Sequence, residues 1–131
     1  MSPGDPRQEL GRRGEARAEE VLRNSGYRIL DRRWRRHGAE IDLVCERGER
    51  VVFVEVKTRA GAGFGTPAEA VTRLKRRRLA RAALAYLLRR GWLERPARFD
   101  VVEVLAEKGG ALIVRHVEDA FRPGADDLPG A

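Results

Sequence analysis

The chain is poor in several residue types. It has one cysteine, one methionine and two histidines in 131 residues, and aromatic residues make up only 6%. A single cysteine excludes an internal disulfide and any zinc site built on cysteines. Cys45 stands between Val44 and Glu46 in a strand-like run, where a thiol ordinarily serves as a small buried filler. His37 and His116 have no partner at metal-ligand spacing, and both read as structural or exposed. No apolar run approaches the ~20 residues that cross a bilayer, and Met1 to Arg13 is polar, without the apolar centre of a secretion signal. These absences predict a soluble, cytoplasmic protein with no membrane partner. The length suits one domain around one core.

Lysine is scarce too. Lys57, Lys75 and Lys108 are the only three, so the net charge of +7 rests on 24 arginines. The planar guanidinium fork binds phosphate bidentately, and a basic surface of this make-up points to nucleic acid. GC-rich coding or heat adaptation also enriches arginine, so charge by itself leaves the partner open.

Residues 1–7 and 122–131, rich in proline and glycine, read as loose tails around one unit, 8–121. Leu10, Gly14, Ala18, Val21 and Leu22 recur at helical spacing and predict a helix from Gln8 to Asn24, stopped by Gly26. Strand patterns follow at Tyr27 to Trp34, Ala39 to Glu46 and Arg50 to Thr58, the last two joined by a hairpin around Gly48. The glycine-rich stretch Ala60 to Gly65 lacks the Gly-Lys-Ser/Thr ending of a phosphate-binding loop and reads as a mobile border of an active site. Thr66-Pro67-Ala68-Glu69 has the form of a capped helix start, which predicts a second helix running to Arg90 before Gly91. Two more strands, Arg98 to Leu105 and Ala111 to Val117, complete the order α-β-β-β-α-β-β. This is an α/β fold with a mixed five-stranded sheet flanked by helices.

The chemistry lies in Glu40-Ile41-Asp42-Leu43-Val44 and, across the hairpin, Val51 to Lys57. Glu55 and Lys57 share a strand face with Val51 and Phe53; Asp42 shares one with Glu40 and Val44. A hairpin symmetric about Gly48-Glu49 sets Arg47 opposite Arg50 and, counting outwards, Asp42 opposite Glu55. Opposed carboxylates with Cβ atoms ~5 Å apart repel by about 3 kcal/mol at an effective dielectric near 20. A hard divalent cation relieves that repulsion, since Mg²⁺ binds one or two carboxylates and keeps waters for reaction. Lys57 extends the same face and can stabilise a charged phosphoryl transition state. The plain alternative is a surface ion pair of Glu55 with Lys57 and a strand-end charge at Asp42. The surrounding valines argue for a covered, central strand, where unused charges are costly.

Glu15 lies beside the apolar stripe of the first helix and is the better candidate for a further acid; Glu19 turns more toward solvent. Arg73, Lys75, Arg76, Arg77, Arg78 and Arg81 crowd the second helix. With Arg59, the residues Arg73, Lys75, Arg76 and Arg77 are the candidate nucleic-acid contacts. Trp34, set among arginines, reads as core, with base stacking as the alternative.

Asp42 followed by Glu55-Val56-Lys57 resembles the Asp…(Asp/Glu)-x-Lys motif of the restriction-endonuclease-like superfamily. Four ordered blocks resemble the bacterial YraN family more closely: Gly11-Arg12-Arg13-Gly14-Glu15, Glu40-Ile41-Asp42-Leu43, Phe53 to Arg59, and Arg98-Phe99-Asp100-Val101. Ala39 stands where that family usually has glycine. The likeness spans about residues 8–120, and the family is similar to archaeal Holliday junction resolvases. The resemblance implies a restriction-endonuclease-like core, Mg²⁺ or Mn²⁺, and cleavage of DNA; branched or single-stranded DNA is the expected partner, and resolving a junction would need a homodimer presenting two sites. Carried over by position, Asp42 and Glu55 are metal ligands with the Val56 carbonyl as a third, Lys57 is the catalytic lysine and Glu15 the helix-borne acid. Two other readings stand beside this one: a binding module of the same fold that does not cut, and an assembly protein whose acids are structural.

Overall fold

Val51, Val52, Phe53 and Val54 alternate across a strand yet are all buried, so that strand must be covered on both faces. The computed structural model, which describes residues 5–61, 63–66 and 71–124, sets it in the middle of a five-stranded sheet. Helix α1 spans Pro6–Asn24; β1 (Arg28–Arg36), β2 (Ala39–Arg47) and β3 (Arg50–Ala60) follow. Helix α2 (Arg73–Arg90) then crosses over to β4 (Ala97–Ala106) and β5 (Leu112–Phe121). The strands lie side by side in chain order, β3 parallel to β4 and all other neighbours antiparallel. The mixed sheet and the element order are those the sequence predicts.

Each helix covers one face. From α1, Ala18 and Leu22 pack on Leu43, Cys45, Val52, Val54, Val102 and Val104. From α2, Leu79, Ala82, Ala83 and Tyr86 pack on Ile41, Val44, Val51, Phe53 and Val101. Each valine, leucine, isoleucine or phenylalanine among them, taken fully out of water, contributes roughly 1.5–3 kcal/mol relative to exposure.

The helix starts differ from expectation. The Asp5 carboxylate accepts the Arg7 N–H at 2.9 Å and Pro6 occupies the first turn, so α1 begins before Gln8 and shortens the expected tail; residues 1–4 lie outside the described residues. The expected cap at Thr66 continues into residues 67–70, also outside them. Instead Thr72, in extended backbone at ψ 164°, caps α2 by accepting the Lys75 N–H at 3.3 Å, and this extended residue separates the helix from any turn before it. Gly26 at φ 90° and Gly91 at φ 71° end the helices as expected. Strand β5 runs on to Phe121, past the expected Val117, and Arg122 pairs with Asp119 at 2.7 Å. The remainder of the expected C-terminal tail, 125–131, is not described. Among the described residues no helix is long and apolar enough to cross a membrane.

One close approach fixes α1 against the strand that carries Glu55. A Cβ on Gly14 would overlap Thr58 Oγ1 and come within 3.0 Å of the Thr58 Cβ. Gly14→Ala therefore lowers stability by ~1–3 kcal/mol in urea unfolding, overriding the ~1 kcal/mol that alanine gains in a helix. Thr58→Ala in the same chain restores part of the loss. A neutral or stabilising Gly14→Ala contradicts this packing.

Candidate active site

Gly48, at φ 60°, lets Gly48-Glu49 close the β2–β3 hairpin with Arg47 opposite Arg50. Pairing continues outward through Leu43 and Val54, so the next opposed positions are Asp42 and Glu55. There the ladder ends, and the Asp42 carboxylate accepts the Val56 N–H at 2.7 Å. On its other side, β1 pairs Arg32 with Leu43 and Trp34 with Ile41, leaving Arg33 between them at φ 50°. A non-glycine residue held there costs on the order of 1–3 kcal/mol. Ile41 and Val44 both pack on the α2 side, so strict alternation lapses around Asp42. The two acids converge on the α2 side, where Glu40 and Val44 also lie, so the departure from strict alternation is at Ile41 rather than at Asp42.

Asp42 and Glu55 line an open cleft of about 410 Å³ with Glu40, Thr72, Lys75 and Arg78. Glu55 is 7% exposed, and its Oε2 is buried without a hydrogen-bond partner. Its Oε1 accepts the Lys75 ammonium, which the first turn of α2 brings over the strand. That turn also aims the partial positive charge of the helix N-terminus at the cleft. Burial, and then the neighbouring Glu55 charge, push the Asp42 carboxyl up to about 7, against the pull of the Val56 N–H. Burial raises Glu55 as well, opposed by Lys75, Lys57 and Asp42. Lys57 is exposed and lies two residues along β3 from Glu55.

Glu15 is near enough for its charge to raise Asp42 further, yet its carboxylate is held by Arg33 at 2.8 Å. The expected contrast between the two helix acids is reversed in exposure. Glu19 is 17% exposed against 33% for Glu15, because Arg32 and Arg23 clamp it. It sits toward Cys45 rather than Asp42, so Glu15 remains the acid nearer the cleft.

The expected nucleic-acid contacts divide. Lys75 is in the cleft on Glu55, and Arg59 approaches Glu103 at 3.9 Å. Arg73 is exposed at the start of α2, whereas Arg76 and Arg77 are half-buried. Arg78, outside the expected set, lines the cleft. Trp34 packs edge-on to Tyr86 at 5.3 Å, as a core residue. His37 occupies the β1–β2 turn and His116 contacts Asp100 at 2.7 Å. Cys45 is fully buried, and burial pushes its thiol up to about 12.

Glu103 escaped the sequence reading. It is fully buried beside Lys57 in the parallel ladder and accepts Arg115 at 3.0 Å. Arg115 also donates to the Gly65 carbonyl and lies 4.9 Å over the Phe64 ring, which anchors the loop expected to be mobile. A charge inside Val101-Val102-Glu103-Val104 was the available signal.

Among the described residues no three His, Cys, Asp or Glu side chains gather as a complete metal shell. The fit to a divalent cation rests on two carboxylates, one with a buried unpartnered oxygen, facing the open cleft. That donor set suits Mg²⁺ or Mn²⁺, which take few protein oxygens and keep waters.

Comparison with known proteins adds family context. The family described as "Uncharacterised protein family UPF0102" matches residues 14–104. A UPF0102 protein of Symbiobacterium thermophilum is 52% identical over 112 residues, covering 86% of this chain and 95% of that protein. One from Nitratidesulfovibrio vulgaris is 44% identical over 117 residues, covering 89% and 87%. One from Geobacter sulfurreducens is 46% identical over 112 residues, covering 86% and 88%. The solved structure titled "The structure of Pyrococcus Furiosus SfsA in complex with Ca2+" aligns with 91% of this chain and 66% of that one. Its identity is 17% and its TM-score 0.42, a slight likeness.

The acid pair has a pH signature. Asp42 titrates above its ordinary 3.8, so the folded chain retains a proton that the unfolded chain loses between about pH 4 and 7. Stability without divalent cations therefore falls as pH rises through that window. Asp42→Asn keeps the side-chain shape and an acceptor for Val56, and raises Tm by ~5 °C at pH 8 in EDTA, a gain that fades toward pH 4. A Tm difference independent of pH contradicts the assignment.

Proposed function

The chain belongs to the UPF0102 family, and from that premise we propose that it is a metal-dependent endonuclease hydrolysing DNA phosphodiester bonds. Branched DNA is the substrate class implied by its likeness to archaeal Holliday junction resolvases. The observation that carries the reading is the convergence of Asp42 and Glu55 at the end of a ladder, with Glu55 Oε2 buried and unpartnered beside an open cleft.

Asp42 and Glu55 are the residues that would hold Mg²⁺ or Mn²⁺, with the Val56 carbonyl as a third donor. A divalent cation there supplies Lewis-acid stabilisation of the phosphoryl oxygen and lowers the pKa of a bound water. Lys57, on the same face, places its ammonium against the negative charge that grows on the phosphoryl oxygens. Exposed Arg73 and Arg78 at the start of α2 neutralise the flanking phosphates. The Val56 N–H keeps the Asp42 carboxylate aimed while substrate enters. Symmetric cutting of a junction needs two such sites, and hence two copies of the chain.

The Lys75–Glu55 contact favours a second reading, a DNA-binding module that does not cut, because it already neutralises the buried acid. Nicking of supercoiled and branched DNA with Mg²⁺ or Mn²⁺ separates the two. The nuclease reading expects cleavage by the wild type and a loss of ~10²–10³-fold in Lys57→Ala and Glu55→Ala, with DNA binding retained. Binding by all three proteins with cleavage by none supports the module.

A further inference from the structure

Of the three lysines in this arginine-rich chain, Lys75 lines the cleft and Lys57 stands two residues along β3 from Glu55, near enough for its charge to act on that acid. They are placed differently. Lys57, from the motif itself, is exposed, whereas Lys75 comes from another element and reaches across to the buried acid. Its side chain is still 42% exposed, so the ammonium sits at the boundary between the Glu55 pocket and solvent. An arginine fork binds a carboxylate bidentately and holds it; a lysine head is a hydrated point charge on a flexible stem that exchanges partners at small geometric cost.

Glu55 is buried at 7% exposure, and a carboxylate so placed calls for a paired counter-charge. The Lys75 ammonium now provides that charge on Oε1, while Oε2 has no partner. A divalent ion held by the acid pair would lie close to the Lys75 ammonium, and like charges repel, so each cation weakens the other's hold on this carboxylate. Once displaced, Lys75 hangs from the first turn of α2 beside Thr72 and Arg78, on the rim where a DNA phosphate would pass.

We propose that Lys75 is a displaceable internal counter-ion: it holds Glu55 while the acid pair carries no metal, and moves to the nucleic-acid backbone when a divalent cation takes the pair. This rests on the metal-site reading above and assigns Lys75 a positioning role that the motif lysine does not fill. By linkage, removing the ammonium must strengthen metal binding by the coupling between the two cations.

The test is a calorimetric titration of Mn²⁺ into the full chain as wild type, Lys75→Met and Lys57→Met, paired with the salt dependence of duplex binding. Lys75→Met is expected to bind Mn²⁺ at least ~5-fold more tightly, with a clearly smaller gain for Lys57→Met, which removes a nearby charge without the contact. With Ca²⁺ present, the salt slope of duplex binding drops by about one in Lys75→Met, and in EDTA it stays at the wild-type value. Lys75→Gln serves if methionine disturbs folding. Wild-type Mn²⁺ binding with no gain in Lys75→Met makes the ion pair a fixed structural one and overturns this proposal alone. An equal gain in Lys57→Met, or a slope change in EDTA as well, overturns it too. Mn²⁺ binding by none of the proteins overturns both this proposal and the metal-site reading.

Discussion

Backbone pairing between β2 and β3 stops one position short of the acid pair, and the Val56 N–H goes to the Asp42 carboxylate. A hydrogen bond to an ionised acceptor is about twice as strong as a neutral one, so this contact fixes the carboxylate as well as satisfying the amide. The geometry leaves little slack. The Gly48 turn sets the register, and the valines buried on both faces of β3 prevent a slip, because a one-residue shift would invert every side chain of the pair. The placement of the acids is thus a consequence of how the core packs.

Around that contact three acids each meet a cation from a different element of the fold. Lys75 of α2 meets Glu55, Arg115 of β5 meets Glu103, and Arg33 of β1 meets Glu15. The partners differ in kind. The two arginines hold their acids with planar donors, whereas the acid that faces the opening receives the mobile lysine. The helix α2 is therefore more than a cover for the sheet, since its capped first turn delivers both Lys75 and the positive end of its dipole to the cleft.

Much of this was legible in the chain itself. The run from Val51 to Val56 announced a central strand, the glycines at 26 and 91 marked helix ends, and the symmetry of a two-residue turn was enough to oppose Asp42 to Glu55. What could not be read was tertiary. Lys75 is one of eight cations on a single helix, and only the angle at which that helix crosses the sheet selects it. A helical wheel turned Glu19 outward because it cannot show Arg32 arriving from β1. Arg33 at φ 50° has no local signature, since neither glycine nor asparagine occupies the position. The cap of α2 at Thr72 was passed over because no acidic residue follows it in the first turn, so the usual sequence mark of a helix start is missing there.

The burial of Cys45 between Leu43, Val52 and α1 has a practical side. With its only thiol sealed in the core and protonated across the working range, the native chain offers maleimide chemistry no target. A cysteine introduced at solvent-facing Arg81 becomes the sole attachment point for a fluorophore or spin label. Distances between two copies on a nucleic-acid scaffold can then be measured without first engineering away a background signal.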